Sequence, residues 1–242
     1  MIREKPFKSL SMPNKRGITL IELLVVLVIS GIVIGGVYRV FIAQTKAYTV
    51  QDQVVEVQQD LRSAMEIVAR DLRMAGFQKS TFNSPLITNS PIVVYPLSDS
   101  TITVNYEYLG GASPATYTVT YTVAGGSLTQ TLTQTPAVGS PTTTTESLLE
   151  NVENVNALPF FAYGISQNGN GVMDDINGDG VIDEKDFVAA ASVGTARVLA
   201  VRVALTARPA PVNPDVTAIV SPRTFTSVVT LRNMCLRKSQ AY

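Results

Sequence analysis

The clearest chemical pattern in the sequence is a run of oxygen-bearing residues at positions 175–186, DINGDGVIDEKD. Side-chain oxygens stand at the first, third and fifth positions, a glycine at the sixth, and acids at the ninth and twelfth. This spacing is that of a calcium loop, in which a tight turn supplies about six to eight oxygens to a hard cation. The predicted ligands of Ca²⁺ are the side chains of Asp175, Asn177, Asp179, Asp183 and Asp186 and the carbonyl of Val181.

Two features of this segment leave its details open. The twelfth position holds Asp186 where glutamate is usual, and the shorter acid leaves room for water on the ion. Just upstream, residues 168–174 (NGNGVMD) repeat part of the pattern. A second ion there, or Asp174 shared with the first ion, are both open. The simpler alternative is a plain turn without metal. We expect a structural staple between strands rather than a paired EF-hand sensor.

A second pattern lies at the N-terminus. Residues 18–37, ITLIELLVVLVISGIVIGGV, are long enough to cross a bilayer as a helix. Residues 1–17 are rich in Lys and Arg, so the positive-inside rule places them in the cytoplasm and the rest on the opposite side. The apolar run is too long for a secretory signal core, and the basic stretch ends at Gly17 directly before it.

The apolar run contains one acid, Glu22. An acid costs about 2.5–3.5 kcal/mol at the centre of a membrane helix and less near the interface, so it normally has a partner. Cleavage after Gly17 would create an α-amino group on Ile18. In a packed array of helices, that amine could neutralise the Glu22 of a neighbouring subunit and fix the axial register. The alternative is an uncleaved signal anchor that tolerates an acid near the interface.

The segment KRGITLIELLVVLVISGIVIGGVY resembles the type III signal of type IV pilins and pseudopilins, whose usual form is K/R-G-F-T-L-I-E. The resemblance implies that a prepilin peptidase cleaves after Gly17 and N-methylates Ile18, and that Glu22 acts in assembly. Ile18 stands where phenylalanine is usual. The leader, residues 1–17, is long, and a start at Met12 would give a more typical length.

A narrower resemblance covers residues 62–77, RSAMEIVARDLRMAGF. This stretch is similar to the R-x-A-x-x-x-x-A-R-D-[IL]-R-x-A-G-[FY] pattern of PilW-like minor pilins and of J-type minor pseudopilins. It implies a minor rather than a major subunit of a hetero-oligomeric filament, with other minor and major pilins as partners. The implied location is the bacterial inner membrane, with the head in the periplasm, and later the pilus or cell surface.

The elements that position these sites follow from periodicity. No proline occurs between Pro13 and Pro85, and apolar residues recur every three or four positions over 50–75, which is one face of a helix. Gly76 is a typical stop signal. We therefore expect a helix over 18–76, with 18–37 in the membrane.

Beyond the helix, we expect a β-rich head over residues 77–242, with a Gly-Gly hairpin turn at 125–126 and a loop over 135–145. The fold class is α+β: a ladle-shaped chain whose long hydrophobic helix packs on an antiparallel sheet. The predicted strands cover 102–108, 117–123, 128–134, 157–163, 197–207 and 223–232.

Composition excludes several functions. The chain has no histidine and one cysteine, Cys235, so we expect neither an intrachain disulfide nor an enzyme active site. The part after Gly17 is mildly acidic, which argues against a nucleic-acid partner. We expect a minor pilin at or near the tip of a type IV pilus that helps to start assembly. The alternatives are a minor pseudopilin of a type II secretion system and a signal-anchored calcium-dependent binding module.

Overall fold

The structure, a computed structural model, describes residues 17–77, 97–108, 115–155, 158–209 and 221–233. The predicted leader (except Gly17), Cys235 and the start of the predicted strand 157–163 lie outside these ranges. The chain divides into two compact units, Met1–Tyr48 and Thr49–Tyr242.

One long helix, α1 (Leu20–Met74), confirms the helix predicted from the absence of proline and the apolar period. In the first unit its apolar side chains are exposed, from Leu20 onward. The helix is long and apolar enough there to cross a membrane. A surface of this kind is unfavourable in water, because the free energy of apolar side chains falls when they are transferred out of water.

The end of α1 follows the predicted stop signal. Gly76 has φ +71°, the left-handed conformation that glycine adopts without the steric cost of a Cβ. Its amide donates to the Asn105 carbonyl at 2.7 Å, and the Asn233 side chain donates to the Ala75 carbonyl at 3.0 Å. Both bonds satisfy backbone groups that lie just beyond the last residue of the helix.

In the second unit, one face of α1 enters the hydrophobic core. Val57, Leu61, Val68 and Leu72 are buried, as the apolar period predicts, and they join side chains of both sheets in one core. Each fully buried Leu or Val side chain contributes about 1.5–3 kcal/mol. This face therefore fixes the helix on the strands that carry the loop.

A buried carboxylate also joins α1 to the first sheet. Asp71, 2% exposed, accepts hydrogen bonds from Tyr121 Oη at 2.6 Å, Gln130 Nε2 at 3.0 Å and Arg70 Nε at 3.1 Å. Burial, and then the hydrogen bond to Asp71, raise the pKa of Tyr121. The aspartate of the A-R-D stretch is thus a contact between helix and sheet.

The described strands form two antiparallel sheets. The first has the order β1 (Thr101–Tyr108), β2 (Ala115–Ala124), β3 (Ser127–Pro136) and β4 (Thr142–Glu150). Gly125 and Gly126, with φ +60° and +79°, form the two-residue turn between β2 and β3. The Gly-Gly hairpin prediction is confirmed.

The prediction of a loop over 135–145 is wrong at both ends, because its first two residues end β3 and its last four belong to the next strand. Residues 142–145 begin β4, where Thr143 and Thr145 lie opposite Thr133 and Thr131 with hydroxyl oxygens 3.0 and 3.1 Å apart. Most of β4 is exposed on both faces, so it lacks the apolar alternation by which strands are recognised. Cross-strand threonine pairs stabilise it instead.

The second sheet has the order β5 (Phe161–Ser166), β6 (Arg197–Ala207) and β7 (Arg223–Thr230). A short helix, α2 (Ala190–Val193), precedes β6. The predicted strand 197–207 is confirmed at both ends. The strand predicted at 157–163 begins later, at Phe161, two residues after Pro159, which has no amide to donate to a ladder.

Candidate functional site

The segment with the calcium pattern is an excursion that leaves β5 and returns to it. Ser166 is the last residue of β5, and Val188 comes back beside the middle of the same strand. Tyr163 and Val188 exchange both backbone hydrogen bonds, at 2.8 and 3.0 Å. The excursion is therefore fixed to the second sheet at both ends.

Close packing holds the excursion against the sheet. A Cβ on Gly164 would lie 2.6 Å from Met173 Sδ and 3.2 Å from Phe187 Cε1, so this position of β5 has no room for a side chain. Arg202 on β6 lies over the Phe187 ring at 6.0 Å, and its Nη1 donates to the Glu184 carbonyl at 3.2 Å.

Within 175–186, backbone amides donate to the side chains of the predicted ligands. Asp175 accepts bonds from the Gly178 and Gly180 amides, both at 2.7 Å. Each of the next three side chains accepts the backbone amide of the residue two positions further along the chain. The amide of Asp179 donates to Asn177 Oδ1 at 2.9 Å, that of Val181 to Asp179 Oδ1 at 2.9 Å, and that of Lys185 to Asp183 Oδ1 at 2.8 Å.

Asp186 closes this segment. It is fully buried, and its carboxylate accepts three backbone amides: Asp183 and Ile176 at 2.8 Å and Asn177 at 3.2 Å. The Asp183 amide, followed by those of Asn177 and Ile176, lowers the pKa of Asp186.

The charges of the segment are poorly compensated. Among the described residues, the basic side chain within 4.0 Å of these carboxylates is Lys185, whose Nζ is 3.7 Å from Asp183 Oδ2 and 4.0 Å from Asp179 Oδ2. The donor set is entirely oxygen, and carboxylate oxygens keep lone pairs beyond their amide bonds, which suits Ca²⁺.

In the described part of the chain, however, no group of three or more His, Cys, Asp or Glu side chains is assembled to hold a metal ion. Calcium therefore stays a prediction.

The upstream pattern is longer than the sequence motif indicates. Residues 166–174 (SQNGNGVMD) and 175–183 (DINGDGVID) are consecutive copies of nine residues, identical at the third, fourth, sixth, seventh and ninth positions. In both copies, the backbone amide of the fifth residue donates to the side-chain oxygen of the third, at 3.0 Å in the first copy and 2.9 Å in the second. The amide of the seventh residue donates to the side-chain oxygen of the fifth, at 2.8 and 2.9 Å. Aligning the two segments would have revealed the first copy, including Ser166, which a pattern of acids does not contain.

The N-terminal site residues lie at the start of α1. Gly17 and Ile18 precede the helix, and Glu22 is in its first turn, where a negative charge is favoured by the helix dipole. Thr19 Oγ1 accepts the Glu22 amide at 3.4 Å, and the Thr19 carbonyl accepts that of Leu23 at 3.2 Å. This is half of a Thr-x-x-Glu capping box, a role that the sequence signature could have indicated.

Residues 12–38 match the family described as the prokaryotic N-terminal methylation motif. No curated protein matches the chain. The motif, the long apolar helix and the antiparallel sheets together support a protein of the type IV pilin and pseudopilin kind, whose α+β fold they fit. The motif indicates processing by a prepilin peptidase and assembly with other pilins, and the apolar helix is consistent with a membrane anchor.

Proposed function

We propose that the chain is a PilW-like minor pilin, a subunit at or near the tip of a type IV pilus that helps to start its assembly. The observation that carries this proposal is the exposed apolar start of α1, in which Glu22 is the one acid among residues 18–38. Such a surface needs a membrane or the apolar helices of other subunits around it. The stretch 62–77, with Asp71 bonded to the first sheet, supports a minor rather than a major subunit.

The proposed route begins in the inner membrane, with the head in the periplasm. A prepilin peptidase cleaves after Gly17 and methylates Ile18. The new amine of Ile18 then neutralises the Glu22 of a neighbouring minor or major pilin inside the dry helical core. The subunit ends in a hetero-oligomeric filament at the cell surface.

Replacement of Glu22 tests the assembly step. Glu22→Ala is expected to insert and to be cleaved, yet to lose crosslinks to partner pilins in the membrane, because the neighbour's amine then has no counter-charge. Glu22→Asp, shorter by one methylene, is expected to be intermediate. Glu66→Ala is the matched control, since it removes an exposed acid from the second half of the same helix. Undiminished crosslinks for Glu22→Ala would refute the pairing.

The processing step has an independent readout. Intact mass and N-terminal sequencing of protein from the native membrane are expected to show a chain that begins at methylated Ile18. A chain that still begins at Met1 or Met12 would disprove cleavage after Gly17, whatever the crosslinking shows.

A minor pseudopilin of a type II secretion system is the second candidate, because the 62–77 stretch is similar to J-type subunits as well. The neighbouring genes distinguish the two: pilus assembly genes support the minor pilin, and secretion genes support the pseudopilin.

We also propose that residues 175–186 bind Ca²⁺ and so staple the excursion to the second sheet. The support is the set of side-chain oxygens at the calcium spacing, which backbone amides of the same segment hold in place. The carboxylates repel one another, and Lys185 reaches the Asp179 and Asp183 side only. A divalent cation held by the predicted ligands would remove that repulsion.

A further inference from the structure

The two nine-residue copies differ at their first position, which is Ser166 in the first and Asp175 in the second. Ser166 is 1% exposed, and its hydroxyl oxygen lies 3.2 Å from Asn168 Oδ1 and 3.1 Å from Asn170 Oδ1. A hydroxyl carries a proton to donate, whereas a carboxylate carries none. In the first copy, the hydroxyl of Ser166 therefore shares its one proton between the side-chain oxygens of Asn168 and Asn170.

The ninth position differs as well. Asp174 Oδ2 accepts the Gln167 amide at 2.6 Å. In the second copy, the corresponding amide, that of Ile176, donates to Asp186 at 2.8 Å, and the ninth residue, Asp183, is left to other partners. Because the second copy begins directly after Asp174, the first has no tenth to twelfth positions of its own. Asp174 thus accepts the amide of the second position in the first copy, which is one of the three amides that Asp186 accepts in the second.

We infer that the chain binds one calcium ion, in the second copy, and that the Ser166 hydroxyl takes the place of an ion in the first. The inference rests on the calcium proposal above. In the first copy, the third and fifth side chains are neutral amides, so its one carboxylate, Asp174, has no like charge within the copy for an ion to neutralise. The shared proton of Ser166 and the amides of Asn170 and Val172 bond these oxygens from within the loop. The first copy then folds without calcium, and it fixes the position beside β5 at which the second copy begins.

Calorimetric titration of Ca²⁺ into the full chain in detergent micelles, after removal of divalent ions, measures the number of ions. One ion per chain is expected for the wild type and for Ser166→Ala. Ser166→Asp, which gives the first copy the acid of the second, is expected to bind two. The melting temperature of Ser166→Ala is expected to fall equally in calcium and in EGTA, because only the cation-independent copy is weakened.

The outcomes separate the two proposals. Two ions on the wild type, one ion on a folded Ser166→Asp, or an unchanged melting temperature for Ser166→Ala in EGTA would each overturn the role of the hydroxyl. No ion on the wild type would overturn the calcium proposal itself, and the single-ion inference with it. If Ser166→Asp does not fold, the wild-type count and the Ser166→Ala melt decide the question.

Discussion

The two copies at 166–174 and 175–183 have one backbone arrangement and two sets of charges. Their fourth residues have φ +64° and +75°, and their sixth residues +81° and +83°. Alternation of glycine with Asn or Asp dictates this shape, because a short polar side chain bonds the amide two residues on and glycine accepts positive φ. The charge of the side chains is a separate variable, and in our proposal it decides whether the loop binds a cation.

The copies also differ in how they are held. In the first, Met173 lies against β5, at a place where Gly164 leaves no room for a side chain. The equivalent residue of the second copy, Ile182, is 50% exposed. The second copy therefore lacks this packing contact, and its closing bonds are those that Asp186 accepts from three backbone amides.

The largest effect is expected from removing the acid that closes each copy. Asp186→Ala leaves three backbone amides without an acceptor and removes a predicted ligand, so the melting temperature should fall by several degrees and calcium should no longer raise it. Asp174→Ala leaves one amide without an acceptor and should cost less. Thermal unfolding with calcium and with EGTA measures both. An equal fall in melting temperature for the two variants would contradict the larger role assigned to Asp186.

The next effect is that of calcium itself. At a hundredfold excess over Kd, an ion that binds only the folded state stabilises it by about 2.7 kcal/mol, which corresponds to several degrees. Asp175→Ala should abolish this shift, and the matched Asn168→Ala, at the third position of the first copy, should leave it intact. Magnesium should substitute poorly, because it gives up its waters reluctantly. If millimolar calcium does not change the melting temperature of the wild type, the segment is a plain turn and the calcium proposal is wrong.

Local signals predicted much of this arrangement from sequence, and contacts distant in sequence account for what was missed. The stop at Gly76, the Gly-Gly turn and the strand 197–207 each depend on neighbouring residues and were predicted. The partners of Asp71 are 50 and 59 residues away, so the bonds that join helix and sheet could not be read from a local pattern.

The first copy was recognised only in part for a different reason. The calcium pattern consists of acids at fixed spacing, and Ser166 is a neutral residue at the end of a strand. Its bonds to Asn168 and Asn170 depend on the fold of the whole nine-residue unit. The repeat itself is visible in the sequence as self-similarity rather than as a set of ligands.

A smaller effect tests whether the two backbones are truly alike. Gly169 and Gly178 occupy the fourth position of each copy, both with positive φ and with open space where a Cβ would lie. Alanine at either position should cost about 1–2 kcal/mol, because an L side chain is strained there. Asparagine should cost less at both, since it tolerates this conformation. Urea unfolding in EGTA gives the two free energies, and clearly unequal costs would show that the copies differ in backbone.

The smallest effect is expected from pH, and it concerns the second copy alone. Backbone amides lower the pKa of Asp186 below its ordinary value near 3.8, so its charged form is favoured in the folded chain. The stability that this shift provides is fully present above the unfolded pKa of about 4 and is lost as the pH falls through the lower folded value. Without calcium, this contribution should thus be constant from pH 7 to 5 and decline below pH 4. Asp186→Asn should lose that part of the acid dependence. Thermal melts between pH 3 and 7 compare the two, and parallel curves over the whole range would show that the Asp186 carboxylate contributes nothing as a charge.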